Sequence, residues 1–266
     1  MEYIAMNFSN VYERQDFKDA PDFCYTDVSD ITGTDCYCDD AAVLKLKERI
    51  KDYSYRGIHY IDSGNYHYMS KLWTDKIDRP FVLVVFDNHP DMQRPLFGDI
   101  LSCGGWIKEV LDSNKYLEKV IVIGVNNRLL EELDDDVLRE ADNERVCFVT
   151  RQEIADAMDC SANGCEESEI NIFEQKAALV GENKAVYISI DKDVLDESVV
   201  KTNWDQGDMR INEIYSYIKE VAQKNEIIGA DVCGEPSHEE AVNDDIIIRS
   251  NTVNLSVLNI LKKFLM

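Results

Sequence analysis

Two apolar segments of this chain end in the same way, each in a cluster of side chains that bind metal ions. The segments cover residues 81–86 and 185–190, and both contain β-branched residues. Runs of this kind are typical of parallel strands that are buried on both faces. Directly after them stand Asp87, His89, Asp91, Asp191 and Asp193. Because ligands of open α/β sheets bind at the carboxyl ends of the strands, we expect these five side chains to meet at one edge of a sheet.

Such a set of side chains is unfavourable without a cation. Carboxylates at close range repel each other, and a bound ion removes that repulsion. A sixth candidate ligand, His67, lies shortly after a predicted strand at 58–61 and therefore at the same edge. Carboxylate and imidazole together suit manganese, zinc or iron, and carboxylates that can bridge indicate two ions rather than one. The sequence therefore predicts a metal site.

The composition limits the class of protein and the kinds of partner. The 266 residues are 45% hydrophobic, which is enough for one large core, and we expect a single domain over residues 1–266. A formal net charge of -24 leaves no basic surface for nucleic acid or for an anionic membrane. No apolar stretch reaches about 18 residues, so no membrane span is expected. Eight cysteines without an N-terminal signal sequence favour free thiols and a cytoplasmic location.

Strands and helices are predicted to alternate along the chain. Besides the two strands above, apolar runs predict strands near 58–61, 119–123, 145–149 and 226–230. Apolar residues at helical spacing predict helices near 41–53, 99–113, 127–141, 151–158, 168–179, 211–223 and 251–265. An acidic pair, Asp39 and Asp40, precedes the first helix as an N-terminal cap. Such alternation implies a three-layer α/β/α fold with a mainly parallel central sheet.

Three short motifs resemble those of the ureohydrolase family, which includes arginase, agmatinase and formimidoylglutamase. Residues 64–67, Gly-Asn-Tyr-His, resemble its Gly-Gly-Asp-His motif. Residues 87–91, Asp-Asn-His-Pro-Asp, resemble Asp-Ala-His-x-Asp, and residues 189–196 resemble Ser-Phe-Asp-x-Asp-x-Leu-Asp. The order and spacing of the motifs agree with the family from about residue 55 to residue 240. The resemblance implies an arginase-like version of the α/β/α fold.

The resemblance also implies a binuclear manganese site, with zinc or iron as alternatives of similar ligand preference. One ion would be held by His67, Asp87, Asp91 and Asp191. The other would be held by His89, Asp87, Asp191 and Asp193. Two of these carboxylates, Asp87 and Asp191, would bridge the ions. Two divalent ions lower the pKa of a bridging water, and the hydroxide attacks a planar carbon such as that of a guanidinium or amidine.

Three catalytic roles follow from the same resemblance. Asp91 would orient the nucleophile and pass a proton. Glu235, after the last predicted strand, is displaced by one residue from the position of the family's Glu that contacts the guanidinium. Cys103 stands where arginase-like members carry a proton-shuttle His, so it would be a proton carrier, a reactive thiol or an ordinary pocket residue. Trp204 and Asp205 fall in the loop expected to shape the substrate pocket.

The expected function is therefore the hydrolysis of a linear C–N bond in a small guanidino or amidino compound. Two alternatives stay open. The deacetylases share the fold, so an amide hydrolase is the second hypothesis. The third is a metal-binding or regulatory protein without turnover, which the absence of a shuttle His at position 103 supports. Assembly into a homo-oligomer is compatible with the family, and neither nucleic acid nor a membrane is expected as a partner.

Overall fold

A sheet of eight parallel strands forms the centre of the protein. The computed structural model describes residues 2–95, 98–135, 137, 139, 145–162 and 172–265. Its strands are β1 (Glu2–Asn7), β2 (Phe23–Asp27), β3 (Tyr37–Cys38), β4 (Gly57–Tyr60), β5 (Phe81–Phe86), β6 (Leu101–Ser102), β7 (Leu117–Val125), β8 (Val146–Thr150), β9 (Ala185–Asp191) and β10 (Glu226–Cys233). The central sheet has the order β2-β1-β4-β10-β9-β5-β7-β8, while β3 and β6 form a separate antiparallel pair.

Helices pack on this sheet. They are α1 (Asp40–Arg49), α2 (Met69–Thr74), α3 (Trp106–Ser113), α4 (Asn127–Leu130), α5 (Arg151–Ala162), α6 (Ile172–Ala177), α7 (Ile211–Ala222) and α8 (Asp244–Leu261). The first of them begins as predicted after an acidic cap, because the Asp39 carboxylate accepts a hydrogen bond from the Ala42 N–H at 2.8 Å. No helix in the described part of the chain is long and apolar enough to cross a membrane.

Side chains of the central strands alternate between two buried clusters. In β5, Val82 and Val84 pack into one cluster together with residues of α7 and α8. Their neighbours Leu83 and Val85 point to the opposite face, where residues of α1, α2 and α3 pack. Since successive side chains of a strand point to opposite faces, the sheet is buried on both sides. This arrangement confirms the predicted three-layer α/β/α fold with a parallel central sheet.

Several elements differ from the prediction. The helix expected near 99–113 begins only at Trp106, because β6 lies before it and pairs with β3. The strand expected at 226–230 continues to Cys233, which brings that residue to the edge where the ligands lie. Helix α8 begins earlier than expected, because the Asn243 side chain caps it by accepting from the Asp245 N–H at 3.0 Å.

Some predicted segments lie partly outside the described residues. The start of the helix expected near 127–141 is present as α4, but residues 136, 138 and 140–144 are not described. The helix expected near 168–179 is present from the first residue of α6, and residues 163–171 are not described. The strands β1, β2, β3 and β6 were not predicted at all.

Candidate metal centre

The ends of three strands bring the predicted ligands together. His67 follows β4, Asp87 follows β5, and Asp191 is the last residue of β9. In the described residues, atoms able to bind a metal form three groups, in each of which all atoms lie within 4.8 Å of one another. The groups are His67–Asp87–Asp91, His67–Asp191–Cys233 and Asp87–His89–Asp193. The six residues expected as ligands therefore belong to one connected cluster.

His67 is oriented by hydrogen bonds on the side of its ring that faces away from the carboxylates. Its Nε2 lies 2.9 Å from the Ser189 hydroxyl, and that hydroxyl donates to Asp231 Oδ1 at 2.6 Å. Because Ser189 gives its only hydrogen to Asp231, it accepts from His67, and the hydrogen of the neutral ring is on Nε2. The lone pair of Nδ1 then points at the carboxylates, which is the orientation of an imidazole that binds a metal.

Three carboxylate oxygens surround Nδ1 of His67. The distances are 2.9 Å to Asp91 Oδ2, 3.2 Å to Asp87 Oδ2 and 3.5 Å to Asp191 Oδ2. Burial disfavours a charge on this ring, yet Cys233 and the two nearest carboxylates raise the pKa of His67 well above its usual value. The position therefore favours a positive charge, whether a proton or a metal ion supplies it.

His89 faces a second set of carboxylates. Its Nδ1 lies 2.9 Å from Asp193 Oδ2 and 3.4 Å from Asp87 Oδ1. Burial opposes ionisation of the ring, but these two carboxylates raise the pKa of His89 to about 12. The His89 side chain is 20% exposed, and its Nε2 lies 3.8 Å from the exposed carboxylate of Asp205. The His67 side of the cluster is thus closed, whereas the His89 side opens towards solvent.

Asp87 and Asp191 lie between the two halves of the cluster. Oδ1 of Asp87 accepts a hydrogen bond from the His89 N–H at 2.7 Å, while its Oδ2 faces His67. Oδ2 of Asp191 also faces His67, and its Oδ1 accepts from the Asp193 N–H at 2.9 Å. Burial, together with the charges of Asp193 and Asp87, raises the pKa of the Asp191 carboxyl to about 7. Asp87 therefore has one oxygen on either side of the cluster, whereas Asp191 faces His67 with one oxygen and accepts a backbone hydrogen bond with the other.

The donor set fits divalent ions of the manganese, iron or zinc type. Oδ2 of Asp87 is buried and accepts no hydrogen bond from the described residues, although a buried carboxylate oxygen needs a donor or a cation. The lone pair of His67 Nδ1 faces this same oxygen, so a hydrogen bond between the two atoms would require the charged ring. Carboxylate oxygens and imidazole nitrogens are the ligands that such ions take in proteins.

A cavity of about 510 Å³ opens over the cluster. Its wall contains all six expected ligands, and Trp204 and Asp205 join them from the loop after β9. The Trp204 ring lies 5.8 Å from the ring of His89, and its Nε1 donates to Asn65 Oδ1 at 3.0 Å. A cavity of this size takes a small molecule, and Asp205 offers that molecule a carboxylate beyond the ligand cluster.

Cys103 lies on the cavity wall beside a second thiol. Cys36 lines the same cavity, and the Cys103 N–H donates to the Cys36 carbonyl at 2.9 Å. A hydrogen bond with the Cys36 thiol, together with burial, raises the pKa of Cys103 above its usual value. At neutral pH the Cys103 side chain is therefore a neutral thiol and a weaker acid than a free cysteine.

Glu235 lies away from the cavity, which corrects its expected contact with a substrate. Its side chain is fully buried and ion-paired with Lys192, which is fully buried as well. It also accepts hydrogen bonds from Gln15 at 2.7 Å, from Ser250 at 2.6 Å and from Asn254 at 2.7 Å. Burial disfavours its charge, but Lys192 and these donors prevail and lower the pKa of Glu235. Glu235 therefore connects segments of the fold and does not line the cavity.

Three side chains at the cluster were not singled out from the sequence. Trp106 donates from Nε1 to Asp91 Oδ2 at 2.7 Å, and the Cys233 thiol donates to Asp191 Oδ2 at 3.0 Å. Lys192 lies between two ligands in the chain but turns away from the cavity to reach Glu235. Trp106 and Cys233 lie far from their partners in sequence, so no local pattern marks them. Lys192 could have been noticed from the sequence, because a cation stands there between two candidate metal ligands.

Comparison with known proteins agrees with the motifs. The family model described as "Arginase family" matches residues 57–241 of the chain. An uncharacterized protein of Thermotoga maritima is 31% identical over 208 residues, which make up 78% of this chain and 69% of that protein. The family match includes all six residues of the predicted ligand set.

Solved structures share the fold at low sequence identity. Formimidoylglutamase from Bacillus subtilis superposes with a TM-score of 0.65 at 16% identity, over 98% of this chain and 86% of that chain. A formiminoglutamase of Trypanosoma cruzi, solved with Mn2+, gives a TM-score of 0.63 at 11% identity, over 96% of this chain and 91% of that chain. At such identities the likeness shows the fold alone, and the fold is the one predicted from the sequence.

Proposed function

The chain belongs to the arginase family, and on this basis we propose that it cleaves a linear C–N bond in a small guanidino or amidino compound with two divalent metal ions. One observation carries the proposal. Nδ1 of His67 lies 2.9 Å from Asp91, Nδ1 of His89 lies 2.9 Å from Asp193, and Asp87 faces both rings. Two imidazoles that share a carboxylate in this way are suited to hold a pair of ions.

The residues that would hold the ions form two overlapping sets. His67 and Asp91 belong to the first set, His89 and Asp193 to the second, and Asp87 and Asp191 to both. When bound, a pair of divalent ions supplies a water of lowered pKa and positive charge opposite the developing oxyanion. The chain itself supplies orientation, because Ser189 holds the ring of His67 and Trp106 donates to Asp91 at 2.7 Å.

Proton transfer is assigned to Asp91 and Cys103 within this proposal. Asp91 lies on the cavity wall, and its Oδ2 is 2.9 Å from His67, so it is available to orient the nucleophile and accept its proton. Cys103 lies on the same wall and is assigned the transfer of a proton to the leaving amine, for which its raised pKa makes it a weak acid. Cys103→Ala tests this role, because removal of a proton carrier should lower kcat and leave the metal content unchanged.

An accessible carboxylate on the cavity wall, which also contains Arg94, offers a contact for a cationic substrate. Beyond the ligand cluster, Asp205 adds a carboxylate to the wall, whereas Glu235 is buried in its ion pair with Lys192 and does not line the cavity. We assign the contact with a guanidinium or amidinium to Asp205, whose carboxylate lies 3.8 Å from His89 Nε2 and remains accessible. The exposed ring of Trp204 beside it would cover the planar cation.

A substrate panel tests the proposed activity. The purified chain, loaded with Mn2+, would be incubated with guanidino and amidino compounds, and the release of urea and ammonia would be measured. Turnover in the wild type that is absent in Asp191→Ala supports the proposal. Metal binding without turnover of any panel member would favour the regulatory alternative. Acetylated amines in the same panel test the amide hydrolase, for which Tyr37 on the cavity wall is an available hydroxyl.

A further inference from the structure

Cys233 lies inside the ligand cluster rather than beside it. It is the last residue of β10 and pairs in register with Asp191, the last residue of β9. Its sulfur is 3.0 Å from Asp191 Oδ2, and the residue is 1% exposed. With Asp191 and His67 it forms a group whose binding atoms all lie within 4.8 Å of one another. A thiol in this position faces the same space as the imidazole and the carboxylates.

The backbone after Cys233 keeps this sulfur at the cluster. Gly234 adopts a left-handed conformation with φ of +91°, and a Cβ there would lie 2.5 Å from Asp191 Oδ1 and 2.7 Å from the Lys192 N atom. The next residue, Glu235, is fixed by its ion pair with Lys192. The two residues that follow the cysteine are therefore both fixed, Gly234 by its close approach to Asp191 and Lys192, and Glu235 by a buried ion pair.

The sulfur is found on one side of the cluster only. His67 has Cys233 as a neighbour in addition to three carboxylates, whereas the group around His89 consists of Asp87 and Asp193. Sulfur ligands favour zinc, iron and cobalt, while sites made of carboxylate and imidazole accept manganese. Two ions bound here would therefore experience different ligand fields.

We infer that Cys233 is a sulfur ligand on the His67 side of the cluster, and that this side selects a softer ion, zinc or iron, than the His89 side. This inference rests on the proposed two-ion site. On binding, the sulfur–hydrogen bond that now points to Asp191 is replaced by a sulfur–metal bond, and one proton passes to the solvent. Without Cys233, the candidate ligand atoms on the His67 side would all be oxygen or nitrogen.

Cobalt substitution tests the inference directly. The full-length protein would be freed of metal with a chelator and titrated with Co2+, while the near-ultraviolet absorption is recorded. A thiolate bound to Co2+ gives an intense sulfur-to-metal charge-transfer band, which carboxylate and imidazole ligands do not give. We expect this band in the wild type, its loss in Cys233→Ser, and its retention in Cys103→Ser and Cys147→Ser, whose thiols lie on the cavity wall and in β8.

The outcomes separate this inference from the proposed function. Two bound Co2+ per chain without the band in the wild type would overturn the cysteine ligand and leave the two-ion site standing. A band that persists in Cys233→Ser would overturn it as well. Failure of the wild type to bind Co2+ at all would overturn the two-ion site itself. Circular dichroism of each variant would show whether it is folded, and absence of the band from the wild type overturns the inference even if Cys233→Ser does not fold.

Zinc affinity provides a second, quantitative readout. In a competition with a chromophoric chelator, one of the two zinc equivalents should bind at least about tenfold more weakly to Cys233→Ser than to the wild type. The affinity for Mn2+ should change less, because manganese gains little from sulfur. Equal losses for both metals would indicate a general disturbance of the cluster and contradict the assignment of a ligand.

Discussion

His67 and His89 present the same nitrogen, Nδ1, to the carboxylates but differ in what holds the other side of the ring. Nε2 of His67 donates to Ser189, which is fully buried. Nε2 of His89 has Asp205 at 3.8 Å and lies beside the cavity. A ring that is hydrogen-bonded on its far side keeps its orientation, whereas a ring without that bond is free to adjust. An ion on the His89 side should therefore exchange faster than an ion on the His67 side.

The hydrogen bond from His67 to Ser189 leads to a prediction about metal affinity. Ser189→Ala removes the group that fixes the ring and should weaken the binding of one equivalent of Mn2+ by about 10- to 100-fold. Calorimetric titration of the metal-free protein with Mn2+ measures the effect. Ser216→Ala is the matched control, since its hydroxyl donates to the Asn212 carbonyl of its own helix and the residue does not line the cavity. Unchanged affinity in Ser189→Ala would contradict the orienting role.

The buried pair of Lys192 and Glu235 leads to a prediction about stability. Glu235→Ala leaves Lys192 as a buried charge without its partner and should lower the free energy of unfolding by about 3–5 kcal/mol. Glu226→Ala removes a carboxylate from exposed ion pairs with Arg56 and Arg79 and should cost no more than about 1 kcal/mol. Urea denaturation of metal-free protein measures both variants. A raised KM with unchanged stability in Glu235→Ala would instead restore its expected contact with substrate.

At the scale of elements, the candidate ligands could be located from the sequence because they follow two strands with a clear apolar pattern. The apolar runs of β5 and β9 are buried on both faces, and each leads into its carboxylates without a break. The strands β1 and β2 were missed because their apolar runs, at residues 3–6 and 23–25, are short and are bounded by polar residues, and β3 and β6 are too short for any periodicity. A pattern of hydrophobicity predicts only elements long enough to show it.

One junction between elements predicts a dependence of stability on pH. His59 of β4 is fully buried, stacks on Trp73 of α2 at 3.7 Å, and bonds to Tyr187 of β9. Its Nε2 faces the Ser54 carbonyl at 3.0 Å, so the neutral ring satisfies both neighbours. Burial lowers the pKa of His59 to about 3. Below pH 6.5 the unfolded chain binds a proton that the folded chain does not, so folding becomes less favourable as the pH falls.

The measurement compares the wild type with His59→Gln, which removes the titrating group. Between about pH 6.5 and pH 3, the stability of the wild type relative to the variant should fall by about 1.4 kcal/mol per pH unit. Above about pH 6.5 the difference should be constant, because the ring is neutral in both states. Free energies of unfolding from urea titrations across this range provide the test. Parallel curves over the whole range would show that His59 does not remain neutral in the folded protein.

The loop after β9 predicts a change in substrate affinity. Asp205→Asn should raise KM for a cationic substrate by about fivefold, because an exposed ion pair contributes roughly 1 kcal/mol. The variant should leave kcat and the metal content nearly unchanged. Asp208→Asn is the matched control, because this exposed carboxylate pairs with Arg151 and does not line the cavity. A loss of kcat at constant KM would place Asp205 in the chemical step instead.

At the scale of the whole molecule, the environment of Glu235 is an example of contacts that a local sequence pattern does not predict. The segment around it resembles a substrate-binding motif, but its partners come from the N-terminal region and from α8. Contacts between residues more than 200 positions apart, such as Gln15 and Glu235, leave no local pattern in the sequence. The family and the ligand cluster were predictable from three motifs, whereas this network and the position of Cys233 depend on how distant segments pack.

The cluster as a whole holds a large negative charge inside a chain whose formal net charge is already -24. Four buried carboxylates converge on two imidazoles, and bound divalent cations would offset their mutual repulsion more fully than protons on the two rings do. Removal of metal should therefore lower the stability of the folded protein, and saturating divalent ions should raise its melting temperature. The number of ions bound is the quantity on which the proposed function depends most.

Elemental analysis of protein purified without chelator and then equilibrated with Mn2+ and Zn2+ measures that number. We predict about two divalent ions per chain in the wild type and a loss of both in Asp191→Ala, because the proposed site uses this carboxylate, which faces His67, as a bridge between the ions. Asp208→Ala, which changes an exposed carboxylate, should retain both ions. A wild type that binds no ion, or an Asp191→Ala variant that binds as many as the wild type, would contradict the two-ion site.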